Sequence, residues 1–273
     1  MAATGHPSFD PAIPPRTGWN AHLVTLVALV AVLPVGIAAF VERGAGWLML
    51  LGVSIVTVLV WQVLFALIRK RPVPDHGLVV ALTFCAVLPA DVSIWQAALA
   101  LSFGVVAGEQ IFGGRGYSFL HPAVVALAFL IFSFPGTSDG FGEWSAMAVV
   151  PGALLLLGTG FLNWRVVVAA AAALVVVGYT GGHPDAVGQL ATPAFAFGLV
   201  FFAGDPVTSS ATNVGRWVHG ALFGILVALL SKAAGTVLVQ PVVFAALLSS
   251  VFAPMIDQGV IWGNQAQRRR RHG

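Results

Sequence analysis

Phe201-Phe202-Ala203-Gly204-Asp205-Pro206-Val207-Thr208-Ser209-Ser210-Ala211-Thr212-Asn213-Val214-Gly215-Arg216 decides how this chain is read. It lies between two apolar runs. The run before it, about Leu190 to Gly204, is shorter than the roughly 20 residues a helix needs to cross a ~30 Å hydrocarbon layer. It ends on an acid, a proline and small hydroxyl residues. Lipid offers no partner to the backbone amides and carbonyls freed there. The stretch must therefore be buried in protein or line a cavity. A second break of this kind is expected at Leu88-Pro89-Ala90-Asp91.

The surrounding composition is that of a membrane protein. Of 273 residues, 58% are hydrophobic and 8% charged, where a soluble domain carries about 25% charged residues. Mean hydropathy is +0.93. No polar stretch is long enough for a soluble module, so residues 1–273 are expected to form one integral membrane domain in the lipid bilayer. Residues 1–20 would be an irregular lead and 263–273 a basic tail. The pI near 9.6 does not imply a nucleic-acid partner, because the basic residues sit in loops and in the tail. The lone Cys85 excludes an internal disulfide and cannot by itself hold an iron–sulfur cluster or a Cys-rich zinc site. In an apolar run it reads as a small buried hydrophobe.

Working outward gives ten apolar segments: about Leu23–Val41, Trp47–Ile68, Gly77–Leu88, Ser93–Gln110, a run after Pro122 to Phe134, Ala146–Leu162, Val166–Tyr179, Leu190–Gly204, Val214–Ser231 and Val237–Trp262. The fold class expected is an all-α polytopic membrane protein of about ten transmembrane or half-membrane helices. With both termini cytoplasmic, Arg16, Arg69, Lys70, Arg71, Arg115, Arg165, Arg216 and Arg268 to Arg271 fall on one side, and only Arg43 and Lys232 on the other. That asymmetry orients the chain. The halves echo each other: Trp95-Gln96-Ala97-Ala98-Leu99 resembles Trp217-Val218-His219-Gly220-Ala221-Leu222, and His121-Pro122-Ala123-Val124-Val125 resembles Gln240-Pro241-Val242-Val243-Phe244. Five segments separate the mates, which predicts a 5+5 inverted repeat with a site where the two broken helices meet.

Asp205 leads the candidate site residues, since an acid ending a buried segment needs a partner. Thr208, Thr212 and Asn213, with Ser209 and Ser210, offer oxygens and amides at the start of the next helix. The lesser alternative is that Asp205 only caps that helix or pairs with Arg216. Gly113 and Gly114 allow close approach to a flat ligand or simply form a tight turn. Gly113-Gly114-Arg115-Gly116 is not a dinucleotide fingerprint. Asp257, inside the last apolar run, reads as part of an ion or proton path or as an interfacial acid. Glu109 could face the same cavity or the cytoplasm. His121, His219 and Lys232 read as anchors or caps, and the Phe195, Phe197, Phe201, Phe202 cluster as packing near any ring site.

The runs from Trp95-Gln96-Ala97-Ala98 to Ile111-Phe112-Gly113-Gly114, Phe119-Leu120-His121-Pro122-Ala123-Val124-Val125, Gly204-Asp205-Pro206-Val207-Thr208 to Asn213-Val214-Gly215-Arg216-Trp217, and Phe252-Ala253-Pro254-Met255-Ile256-Asp257 together carry a resemblance. The chain resembles the NqrB/RnfD family, membrane components of the sodium-translocating NADH:quinone oxidoreductase and of the Rnf electron-transport complex. The resemblance covers most of the chain from about His76. It implies a urea-transporter-like inverted repeat in a bacterial inner membrane. It also implies membership of an electron-transfer complex that works through flavin toward quinone or ferredoxin and is coupled to Na⁺ or H⁺ movement. Partners would be other membrane, iron–sulfur or flavin subunits. Asp205 and the Gly113-Gly114 loop would line a non-covalent flavin or quinone site, and Asp257 would be tied to cation uptake. Two departures stand out. The family's Ser-Gly-Ala-Thr acceptor of covalent FMN has no counterpart in Pro135-Gly136-Thr137-Ser138-Asp139-Gly140-Phe141-Gly142-Glu143, so the sequence supports FMN or riboflavin held non-covalently. The family's usual Asn-Pro is His121-Pro122 here. A reading of another class, a channel or carrier for a small polar solute on the same scaffold, is distinguished by the absence of a chromophore.

Overall fold

The computed structural model describes residues 21–88, 91–135, 146–182, 187–232 and 238–272. Ten α-helices run through them, with no strand among the described residues. They are α1 Ala21–Arg43, α2 Ala45–Arg69, α3 Gly77–Val87, α4 Ile94–Val105, α5 Pro122–Ser133, α6 Val150–Thr159, α7 Trp164–Thr180, α8 Pro193–Phe197, α9 Asn213–Ser231 and α10 Val239–His272. Four stretches are long and apolar enough to span a bilayer: His22–Arg43, Ala45–Arg69, Asn213–Ser231 and Val239–Gln265. Their flanks expose Leu26, Ile37, Val56, Val60 and Leu67. Such a continuous apolar surface belongs in lipid, and the protein is an integral membrane protein.

Both expected short helices are present. α3 has 11 residues, about 16 Å of helix at 1.5 Å per residue. α8 has 5 residues and continues as a π-helix over Gly198–Ala203, so it too stops well short of a span. α4 likewise passes into a π-helix, Val106–Gln110. Wider π turns are uncommon and cluster at functional sites; these two lead to Glu109 and to Gly204-Asp205. The break expected at Pro89-Ala90 and the loop 136–143 lie outside the described residues, as do residues 1–20.

The helices pack in a continuous circuit. α1 packs on α3 and α6, α2 on α3 and α4, α4 on α5, α5 on α10, α10 on α9, and α9 on α7. Small residues set the closest approaches, as is usual where lipid removes any hydrophobic gain from helix pairing. A Cβ on Gly220 would lie 2.4 Å from the Val166 carbonyl oxygen, and one on Gly224 2.2 Å from that of Ala170. On the other side of the bundle, Gly104 of α4 and Gly108 in its π extension sit against Pro122 of α5. Phe84, Phe195, Phe197 and Phe223 are completely buried in the core. Cys85 is buried there, and its thiol donates to Ser54 Oγ at 3.1 Å. Trp47 Nε1 donates to the Cys85 carbonyl at 3.0 Å, tying α2 to α3.

One boundary differs from the sequence reading. α10 continues past Trp262 as helix to His272. Gln and Arg are good helix formers, and Gly263-Asn264 does not stop a helix already in progress.

Gly224→Val should force α7 and α9 apart at a backbone contact. The cost expected is about 1–3 kcal/mol, read as a lowered melting temperature of the detergent-solubilised protein. Gly259→Val, at a helical position with open space around it, should leave the melt unchanged.

Candidate functional site

α3 and the π-helical continuation of α8 face one another across a partly open cavity. Val79 and Thr83 of α3 form one wall, with Val24, Ala28 and Val32 of α1 beside them. Val200, Phe201 and Gly204 at the end of α8 form the opposite wall, closed by Leu156, Phe161 and Leu162. Asp205, Arg115 and His121 supply its charged and polar groups. A second chamber adjoins it through the same Asp205, Arg115 and His121, and adds His76, Glu109 and Thr208.

The turn after α8 folds around its acid. Asp205 Oδ2 accepts from Val207 N at 3.2 Å and from Thr208 N at 3.1 Å, and its carbonyl accepts from Ser209 N at 3.0 Å. This is an Asx-type turn, which an aspartate before proline favours. Oδ1 has no hydrogen bond among the described residues, so the carboxylate keeps an acceptor for something in the cavity. Asp205 neither caps α9 nor bonds Arg216. Thr212 is the N-cap of α9, its Oγ1 accepting from Gly215 N at 3.1 Å, and Arg216 Nε donates to the Ser210 carbonyl.

Glu109 is 2% exposed. Its Oε2 lies 2.7 Å from His76 Nε2, and its Oε1 accepts from Gln110 Nε2 at 3.2 Å. A buried carboxylate is tolerable only with partners of this sort. Arg115 is tied through Thr25 to Asp75, in the loop before α3. His22 and Thr25 both bond its carboxylate, and Arg115 donates to Thr25 Oγ1 at 2.8 Å. Burial works against the Asp75 charge, but the hydrogen bonds from His22, its own backbone and Thr25 outweigh it and hold the carboxyl below its usual range.

His121 departs from its reading as an anchor or cap. It occupies the N-cap position of α5 but makes no capping bond. Its ring borders both chambers and lies 5.8 Å from the Phe202 ring, with Nδ1 buried and without a hydrogen-bond partner among the described residues. His76 also keeps a buried, unpartnered Nδ1. The signal available in the sequence is Pro122: a proline at the first turn of a short helix fixes where the preceding residue points.

The remaining candidates fall elsewhere. Gly113 and Gly114, both at positive φ, line a separate hollow with Arg69, Arg71 and Tyr117, and only Arg115 is common to it and the central cavity. Thr212 and Asn213 begin α9. Asp257 reaches from α10 to that same end. It accepts from Ala211 N at 2.8 Å, from Thr212 N at 3.0 Å, from Thr212 Oγ1 at 2.6 Å and from Ser210 Oγ. His219 is buried in α9 with Nε2 3.2 Å from the Ala203 carbonyl oxygen. Phe195 and Phe197 belong to the core, while Phe201 reaches the cavity wall.

The sequence profile described as the NQR2, RnfD, RnfE family matches residues 16–141 and 136–264. The B subunit of the Na(+)-translocating NADH-quinone reductase of Pseudomonas paraeruginosa (strain DSM 24068 / PA7) is 32% identical over 271 residues, covering 78% of this chain and 66% of that protein. The same component from Ectopseudomonas mendocina (strain ymp) is 31% identical over 288 residues, covering 85% and 71%. That of Yersinia pestis is 29% identical over 273 residues, covering 77% and 65%. The chain thus spans about two thirds of the length of these relatives.

Asp257→Ala removes the acceptor that gathers Ser210, Ala211 and Thr212. The expected cost is about 1–2 kcal/mol, the scale of a lost helix cap, with faster amide exchange across residues 211–215. Asp257→Asn keeps acceptor oxygen and should show a smaller effect in the same measurement.

Proposed function

Because the chain belongs to the NQR2, RnfD, RnfE family, we propose that it is a membrane subunit of a multi-subunit electron-transfer complex, holding a non-covalent flavin between α3 and α8. The observation that carries this reading is the cavity between two helices that stop short, with a carboxylate oxygen left without a partner among the described residues. The donor set suits a flat heterocycle. The walls are apolar, Asp205 Oδ1 can accept from a ring imide N–H, and His121 Nδ1 and the Arg115 guanidinium can meet ring nitrogen or carbonyl edges. The bond at Asp205 would be charge-assisted, roughly twice as strong as a neutral one.

Bound there, FMN or riboflavin would supply the one- and two-electron chemistry that no side chain of this chain can. The protein's part is to hold the ring, exclude water and set its electrostatics. Asp205 makes added negative charge costlier, whereas Arg115 favours it, so their balance tunes the potential. Thr208 borders the adjoining chamber; Gly113, Gly114, Thr212 and Asn213 would support the site from behind Arg115 and from the start of α9. Cys85 is buried among apolar neighbours, so electrons must arrive and leave through other subunits bearing iron–sulfur or flavin groups, toward a quinone or a ferredoxin-type partner.

Coupling to Na⁺ or H⁺ movement belongs to the same reading. The similar proteins are named as Na⁺-translocating, and Glu109 and Asp257 are the acids proposed for it. We take the helices as a 5+5 inverted repeat, urea-transporter-like, in a bacterial inner membrane with both termini cytoplasmic. The packing supports this: α2 on α4 is matched by α7 on α9, α4 on α5 by α9 on α10, and the mates α1 with α6 and α5 with α10 touch each other. The charge asymmetry supports the orientation.

Purified in mild detergent, the protein should be yellow, and denaturation should release the chromophore. Asp205→Ala should lower flavin occupancy about tenfold, the scale of one charge-assisted bond, with the protein still inserted. Full occupancy in that variant would sink the site assignment. A colourless protein that conducts a small polar solute would favour the channel or carrier reading.

A further inference from the structure

The hollow on the far side of Arg115 from the central cavity is built of positive charge. Arg69, Arg71 and Arg115 all line it, together with Gln62, Gln110 and Tyr117. No carboxylate among the described residues lines it. The two acids nearest in sequence are committed elsewhere, Asp75 to His22 and Glu109 to His76. None of the three guanidinium groups has an acidic partner among the described residues. Arg69 donates to the Gln110 carbonyl and side chain and lies 5.0 Å from the centre of the Phe65 ring. Arg71 lies 5.9 Å from the centre of the Tyr117 ring, and its side chain makes no hydrogen bond among the described residues. Arg115 donates only to Thr25 among them.

A second, independent feature lies in the same wall. Gln62 of α2 is 1% exposed, and neither its Nε2 nor its Oε1 has a hydrogen-bond partner among the described residues. A buried amide left unpaired is costly, and native structures seldom keep one without a bound group or water to satisfy it. Three like charges around one hollow repel one another unless an anion sits between them. Planar guanidinium forks match phosphate oxygens in pairs, a geometry lysine does not offer. Gly113 and Gly114 both sit at positive φ in the wall of the hollow, where the Gly114 backbone lies beside the Arg69 guanidinium.

We propose that this hollow is a binding site for a phosphate group, held by Arg69, Arg71 and Arg115, with the Gln62 amide taking a polar atom of the group that carries it. The phosphate chemistry is shared by two sources, the headgroup of an anionic phospholipid and a free phosphate or phosphate ester. The site shares only Arg115 with the proposed flavin cavity, and its test, made at Arg71 and Gln62, does not depend on flavin.

The experiment uses the full-length chain in two arms. In the first, native mass spectrometry follows retention of phosphatidylglycerol against phosphatidylcholine after reconstitution in a mixed bilayer. In the second, equilibrium dialysis measures binding of radiolabelled inorganic phosphate at fixed chloride. Selective phosphatidylglycerol retention identifies the lipid source; saturable phosphate binding without that selectivity identifies the free one. In either case Arg71→Gln, at an exposed position, should weaken binding about tenfold, and Gln62→Leu should weaken it less. Monodisperse elution of both variants verifies folding. The proposal is overturned if the wild-type chain shows neither selective retention nor saturable binding, or if Arg71→Gln binds as the wild type does.

Discussion

A helix that ends inside a packed, apolar bundle leaves its last carbonyls, and the amides that follow, with nothing to bond but protein. That constraint organises this chain. At the end of α8 a side chain answers it, as Asp205 turns back to bond Val207 N and Thr208 N. The start of α9 is met by two more, Thr212 from within and Asp257 from α10. At the end of α3 the Leu88 carbonyl accepts from Arg43, a cation suited to the negative end of a helix. Each of these helix ends is thus closed by a charged or hydroxyl group, two of them brought from distant sequence.

Much of this is legible in residue order. The ten segments, their approximate limits and the short run before Asp205 follow from hydropathy and proline alone, because lipid makes those signals strong. Asp205 and Thr208 border the cavity for the same reason: an acid at a helix break has few places to go. The third dimension is what residue order lacks. His121 and Arg115 are loop residues in any one-dimensional reading, yet the return of the chain into α5 sets both beside Asp205. Asp257 lies 45 residues from Thr212 in the chain, so the bond that fixes the start of α9 has no local signature. Gly113 and Gly114 share a motif with Arg115, and that arginine divides one space into two.

The two π-helical stretches give the site its asymmetry. A π turn rotates the residues beyond it relative to a regular helix. After α4 this presents Glu109 inward while Gln110 meets Arg69. After α8 it brings Phe201 to the cavity wall and leaves Phe202 against His121. Regular helix in either place would direct these side chains differently, so local backbone widening, rather than residue identity alone, selects what the cavity contains.

The clasp of Asp257 on Ser210, Ala211 and Thr212 has a mechanical meaning. The loop from Asp205 to Thr212 is a short bridge pinned at one pier by its own turn and at the other by α10. Because α10 runs on as helix from Asp257 to His272, a displacement of that end is carried along a stiff rod to the second pier. The turn that holds Asp205 is therefore coupled to whatever grips the end of α10.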